Sequence, residues 1–224
     1  DSIELAKHAA DCGADAISSV PPIYYPVDFT LTYEHYRLIA EAGGLPFFPY
    51  HAGFTSMALP PTGEYMRRMS ELPHFAGIKL TESDLMMFTQ IRNHLGDGPV
   101  LFSGFDQLMA PALFAGSSGA IGSFLNIFGP AFKRVNDRLR NHNDIAVARS
   151  FTAVFNDLVA ALVPYRADVF GFIGRAMDIK YGIDIGPGRT PLTLLPSKMS
   201  DDEVRRWIDR VDESAGIEAT GAVR

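Results

Sequence analysis

Phe75-Ala76-Gly77-Ile78-Lys79-Leu80-Thr81 decides the reading of this chain. An apolar run of strand length carries a lysine near its end, then meets Thr81 and the cap-like Glu82 and Ser83. Leu85 to Leu95 follows with helical apolar spacing, so the segment reads as a buried strand feeding a helix. An ammonium is costly to bury, so a lysine there is solvated, paired or chemically employed. Lys7, Lys133, Lys180 and Lys198 read instead as lysines of polar helical or loop contexts. Position alone leaves Lys79 open between a strand-end side chain reaching solvent and a functional group.

Strand and helix signals alternate on both sides of this stretch. Towards the N-terminus, 1–13 reads as a helix with Ile3, Ala6, Ala9 and Ala10 on one face, stopped by Gly13. Ala14 to Val20 reads as a strand, stopped by Pro21-Pro22, with Tyr24, Tyr25 and Pro26 in the loop beyond. A helix from Thr30 to Gly43-Gly44 turns Tyr33, Tyr36, Leu38 and Ile39 inward; Pro46 to His51 is the next strand, and 62–69 a helix. Towards the C-terminus, Pro99 to Phe105 is a strand, 106–115 a helix and Gly119 to Phe124 a short strand. From Pro130 the strand signals stop, and 130–141, 144–164, 168–180 and 201–213 read as helices. They are broken by Pro164, a loop from Gly182 to Pro191, and Pro196, with a loose tail from Gly216. Five strands separated by helices and short connections predict parallel βαβ units.

In such a fold the ligand site lies at the C-terminal strand ends. Those ends hold Tyr24-Tyr25, Tyr50-His51, Lys79-Leu80-Thr81, Gly104-Phe105-Asp106 and Gly122-Ser123. An amine at such a site can add to a ketone as a nucleophile. The resulting Schiff base draws electrons from the neighbouring carbon–carbon bond, and a proton relay completes the chemistry. Tyr50, ending the preceding strand, is the acid/base candidate; the same position suits an aromatic that closes the core with its hydroxyl in water.

Composition narrows the class. The 224 residues are 47% hydrophobic and 21% charged, ordinary for a globular protein. A formal net charge of −6 argues against a nucleic-acid partner. No apolar run approaches the ~20 residues of a membrane helix, and no signal peptide is visible. Cys12, the lone cysteine, excludes an intrachain disulfide and fits a cytoplasmic location. The six histidines show no metal-ligand spacing, so no metal is expected. Gly116-Ser117-Ser118-Gly119-Ala120-Ile121-Gly122 follows a helix and leads into a strand, the reverse of a phosphate cradle, and reads as a helix stop. The chain opens on Asp1 in what already reads as mid-domain helix, as a fragment or trimmed product would.

Several blocks together resemble the N-acetylneuraminate lyase/dihydrodipicolinate synthase family of class I aldolases. They are Ala6-Lys7-His8-Ala9-Ala10, Gly13-Ala14-Asp15-Ala16, Pro21-Pro22-Ile23-Tyr24-Tyr25-Pro26, Tyr50-His51, Gly77-Ile78-Lys79-Leu80-Thr81, Gly104-Phe105-Asp106, Gly119-Ala120-Ile121-Gly122-Ser123 with Asn126, and Gly186-Pro187-Gly188-Arg189-Thr190-Pro191-Leu192. The resemblance implies an α/β TIM (β/α)8 barrel with a C-terminal helical extension, assembled as a homotetramer. Residues 1–142 would supply about the fourth to eighth βα units, and 143–224 the extension. The first three units would precede Asp1, with a Gly-x-x-Gly-Glu turn whose neighbours hold the keto-acid carboxylate. Five strands alone cannot close an eight-stranded barrel.

By the same resemblance Lys79 is the Schiff-base lysine that binds pyruvate and Tyr50 the proton-transfer residue. Thr81, Gly104, Asp106, Gln107, Gly122 and Ser123 fall where the lyase branch holds its sugar-derived substrate. Tyr25 falls near a tyrosine lent between subunits in the synthase branch, and equally suits an aromatic loop anchor. The implied activity is cleavage of N-acetylneuraminate or a related 2-keto-3-deoxy sugar acid to pyruvate and an aldehyde. No cofactor beyond the lysine adduct is needed. Two departures bear on substrate. Ala52-Gly53-Phe54-Thr55 holds no arginine for a dicarboxylate aldehyde, and Gln107 stands where the lyase branch has an acid. The alternatives are a dihydrodipicolinate synthase-like condensation and a non-catalytic barrel that only binds a keto acid.

Overall fold

A computed structural model describes residues 1–53, 59–162, 168–190 and 199–217. Phe54, Thr55, Pro164, Pro191, Leu192, Pro196, Lys198 and the tail beyond 217 lie outside the described residues. Five strands alternate with helices: α1 (Ser2–Asp11), β1 (Ile17–Ser19), α2 (Phe29–Gly43), β2 (Phe47–Ala52), α3 (Thr62–Ser70), β3 (Gly77–Thr81), α4 (Leu85–Leu95) and β4 (Val100–Ser103). After a 3-10 turn (Asp106–Leu108) come α5 (Met109–Phe114), β5 (Gly119–Ala120), α6 (Leu125–His142), α7 (Ile145–Leu162), α8 (Asp168–Tyr181) and α9 (Asp201–Ser214). The strands form one parallel sheet in the order β1-β2-β3-β4-β5. Sequential parallel neighbours require a crossover between each pair, and helices supply it.

Local chemistry sets the boundaries. Asp28 caps α2 by accepting from the Leu31 amide at 2.8 Å, and Gly44 ends it in the left-handed region at φ 60°. The cap of α4 is Asp84, which accepts from the Met86 and Met87 amides, rather than Glu82 or Ser83. Ser200 and Glu203 close a capping box on α9. The last strand is two residues long, not six. After the Ile121 amide bonds the Ser103 carbonyl, the chain at Gly122 turns into α6. That span, from Leu125, is two helices joined at a break at Phe128 (φ −105°, ψ 16°). Pro130 therefore stands in the first turn of the second, near where the sequence places a helix start and where a proline obstructs no turn.

The chain divides into two units. The first comprises 1–105 and 112–121. Its core packs Tyr36, Phe47, Tyr65, Met66, Met69, Ile78, Leu80, Phe88, Ile91 and Leu101. On α2, Tyr36 and Ile39 face inward as the spacing requires, but Leu38 is exposed; on α1 only Ala6 is buried. Arg92 donates to the carbonyls of Gly96, Pro99 and Gly116 and to Ser118 Oγ, tying the loops before β4 and β5 to α4.

The second unit comprises 106–111 and 122–224. Its described core is aromatic: Phe124, Phe128 and Phe151 all pack on Phe155, edge-on or stacked. Among the described residues one helix, α7, has the length and composition to cross a bilayer, where none was expected. That helix carries Arg149 and Asp157 and buries Ala148, Phe151, Phe155, Leu158 and Leu162, the one-sided pattern of a core helix. Lys180 also departs from the sequence reading. Its side chain is 9% exposed and donates to both oxygens of Asp212, at 2.9 and 2.7 Å, joining α8 to α9. Burial raises the Asp212 pKa and Lys180 opposes that rise.

Removing one partner of a buried pair leaves the other charge uncompensated. Asp212→Ala is therefore expected to cost ~3–5 kcal/mol in chemical denaturation of the full-length protein. Asp212→Leu combined with Lys180→Met should recover most of that loss. A single-variant cost below ~1 kcal/mol would show the pair to be as weak as a surface one.

Candidate active site

Parallel register places Tyr50 opposite Lys79 and Ala52 opposite Thr81. Side chains alternate along a strand, so Tyr50, Lys79 and Thr81 share one face at the C-terminal ends of β2 and β3. Lys79 Nζ lies 4.0 Å from the centre of the Tyr50 ring. The Thr81 hydroxyl donates to the Tyr50 phenol oxygen at 2.9 Å, leaving Tyr50's own O–H as a donor for another group.

Gly104 completes this group. A Cβ there would collide with Thr81 Oγ1 and stand 3.1 Å from Lys79 Cε. The missing side chain is what lets the end of β4 approach the Thr81–Lys79 pair. The Gly104 amide bonds the Leu80 carbonyl at 2.9 Å, fixing that approach. Thus four of the residues singled out in the sequence, Lys79, Tyr50, Thr81 and Gly104, form one cluster in the first unit.

Asp106, Gln107, Gly122 and Ser123 belong to the second unit. Asp106 accepts from the Phe124 amide at 3.2 Å. A Cβ on Gly122 would collide with the Asp106 carboxyl group, so this glycine admits the carboxylate. Ser123 is exposed, and its carbonyl accepts from the Asn126 side-chain amide at 2.8 Å. Gln107 is half-buried on the 3-10 turn. Tyr25 is exposed in the loop after β1 and meets Tyr24 edge-on at 4.8 Å.

Sequence reasoning missed what surrounds Tyr50. His51 points to the opposite face of β2 and is 3% exposed. Its Nε2 lies 3.9 Å from Glu82 Oε2, beside side-chain-free Gly53. Burial holds the His51 pKa below the ordinary histidine value, and Glu82 pulls it the other way. Tyr36, assigned only to the core, donates its hydroxyl to the Tyr50 carbonyl at 2.9 Å. A histidine directly after a strand-end tyrosine was the available signal for the first. Nothing in the spacing of α2 announced the second.

A lysine near the C-terminal end of a parallel strand, beside a tyrosine held by a hydrogen bond, is thus the cluster that these α/β elements build. The profile of the Dihydrodipicolinate synthetase family matches residues 1–210. The chain is 35% identical over 199 residues to an N-acetylneuraminate lyase of Salmonella agona (strain SL483), covering 88% of this chain and 65% of that protein. It is 34% identical over 164 residues to one of Enterobacter sp. (strain 638), covering 73% of this chain and 54% of that protein. Among solved structures, a sialic acid aldolase of Ruminococcus gnavus superposes with a TM-score of 0.83 at 21% identity, over 96% of this chain and 70% of that one. CdNal from Clostridium difficile, in complex with mannosamine, superposes at 0.78 with 26% identity, over 95% and 70%. The chain belongs to the dihydrodipicolinate synthetase family, and it spans about two thirds or less of the length of these curated relatives.

The His51 environment predicts a pH effect. A histidine whose folded pKa is depressed contributes stability that is whole above the unfolded value, about 6.5, and is lost as pH falls through the folded value. The Tm of the full-length protein should therefore fall on acidification from about pH 7.5 to 5.5, and His51→Gln should flatten that fall. Equal slopes for parent and variant would show that His51 does not sense this range.

Proposed function

We propose that the protein is a carbon–carbon lyase that cleaves N-acetylneuraminate or a related 2-keto-3-deoxy sugar acid through a Schiff base on Lys79. The observation that carries this reading is Lys79 Nζ 4.0 Å from the Tyr50 ring, with Thr81 bonded to the Tyr50 hydroxyl at 2.9 Å. The relatives named N-acetylneuraminate lyase support the branch. The absence of an arginine in Ala52-Gly53-Phe54-Thr55 disfavours a dicarboxylate aldehyde, whose second carboxylate would be desolvated without a partner.

In the proposed cycle the neutral Lys79 amine attacks the C2 ketone of the open-chain acid, and water leaves as the imine forms. The protonated imine accepts the electron pair of the C3–C4 bond as that bond breaks. The C4 hydroxyl gives up its proton and becomes the product aldehyde, with Tyr50 taking part in the transfer. The remaining enamine is protonated at C3, and water hydrolyses the imine to release pyruvate and restore Lys79. Thr81 orients the phenol oxygen of Tyr50 through its hydrogen bond. Asp106, Gln107, Gly122 and Ser123 are assigned to the sugar-derived end of the substrate, and Tyr25 is assigned to substrate binding. The cycle needs no metal and no bound cofactor. A homotetramer in the cytoplasm is part of the same proposal.

Kinetics on the full-length protein test it, with pyruvate release from N-acetylneuraminate as the readout. Lys79→Ala should abolish turnover with the fold intact. Tyr50→Phe keeps the ring and loses the hydroxyl, so kcat should fall by roughly 10²–10⁴ with little change in Tm. Turnover by Lys79→Ala, or a Tyr50→Phe kcat within about threefold of the parent, would contradict the assignment.

A further inference from the structure

We propose that Tyr36 is a positioning residue for Tyr50, standing in for a strand donor that Pro21 cannot provide. The inference rests on the reading of Tyr50 as the proton-transfer residue. It begins with the ladder between β1 and β2. The Ile17 amide donates to the Pro46 carbonyl, and Ile17, Ser18 and Ser19 pair with Phe47, Phe48 and Pro49. On the other edge of β2 the Phe47 carbonyl accepts from the Ala76 amide, just ahead of β3. Carbonyls alternate edges along a strand, so those of Pro46, Phe48 and Tyr50 face β1, and that of Phe47 faces β3.

The Tyr50 carbonyl therefore looks towards β1 from beyond its end, since β1 stops at Ser19 while β2 runs to Ala52. Extending the pattern by two residues at a time, the donor for Tyr50 would be the amide of residue 21. That residue is a proline, which has no N–H. A backbone carbonyl left without a partner at a half-buried strand end is costly. The Tyr36 hydroxyl takes the place of the missing amide at 2.9 Å.

Tyr36 is well suited to this. It is fully buried, and its ring lies 5.8 Å from that of Phe47 in the core. Burial drives its pKa far above the ordinary tyrosine value, so the hydroxyl keeps its proton at any working pH. Tyr50 is thus held at two points, its side-chain hydroxyl and its backbone carbonyl. Thr81 fixes the hydroxyl and Tyr36 fixes the carbonyl. Loosening the second lets the strand end shift, and a small misplacement of a proton-transfer group lowers the rate of the step that it serves.

A double-mutant cycle on the full-length protein separates this role from packing. Tyr36→Phe should lower kcat roughly tenfold with KM for the sugar acid little changed. Borohydride should still trap pyruvate on it. In a Tyr50→Phe background the same substitution should lower kcat by less than about twofold, because its effect passes through the Tyr50 hydroxyl. Tyr36→4-aminophenylalanine keeps a donor at the same place and should hold kcat within about threefold of the parent, which also covers the case of a Phe variant that fails to fold. Multiplicative losses in the double variant, or a 4-aminophenylalanine variant as slow as the Phe one, would overturn the role of Tyr36 alone. A parent protein that traps no pyruvate would overturn the lyase reading, and Tyr36's role with it.

Discussion

The register of β2 on β3 is the constraint on which the candidate site depends. It sets Tyr50 against Lys79 and Ala52 against Thr81. A slip of one residue would turn Tyr50 to the face where His51 lies, and would bring His51 towards the lysine. That register is held by burial: Phe47, Ile78, Leu80 and Leu101 are wholly inaccessible and belong to one packed core. An apolar core therefore fixes the placement of these polar atoms.

The polar groups around β2 form a second level of control. Thr81 bonds the Tyr50 hydroxyl, Tyr36 bonds its carbonyl, and Glu82 lies close to buried His51 across Gly53. Each reaches β2 from a different place: the end of β3, helix α2, and the turn after β3. Two glycines admit side chains in the same manner, Gly104 beside Thr81 and Gly122 beside Asp106. Absent side chains shape these places as much as present ones do.

Much of this was legible in the sequence, for physical reasons that differ by element. The apolar run ending in Lys79, and the helical spacing of Leu85 to Leu95, are strong local signals, and β3 and α4 lie where they point. The alternation of strands and helices gave the parallel α/β class. Short strands were overextended. At Gly119 to Phe124, β propensity does not register the turn at Gly122, where the chain enters α6. The α4 cap moved from Glu82 or Ser83 to Asp84, because neighbouring acids and hydroxyls carry the same propensity and only backbone geometry chooses among them. Lys180 looked like a solvated helix lysine, since its partner Asp212 lies a whole helix away in sequence. The Thr81–Tyr50 and Tyr36–Tyr50 bonds were out of reach for a similar reason: helical spacing shows which way Tyr36 faces, not which atom its hydroxyl meets.

The central claim is chemical, that Lys79 is the amine that forms the Schiff base. The direct measurement is to reduce the full-length protein with borohydride in the presence of pyruvate, digest it, and locate the added three-carbon acid by mass spectrometry. The account predicts the adduct on the peptide containing Gly77-Ile78-Lys79-Leu80-Thr81 and on no other lysine. An adduct on Lys180 or any other lysine, or none on folded protein, would contradict it.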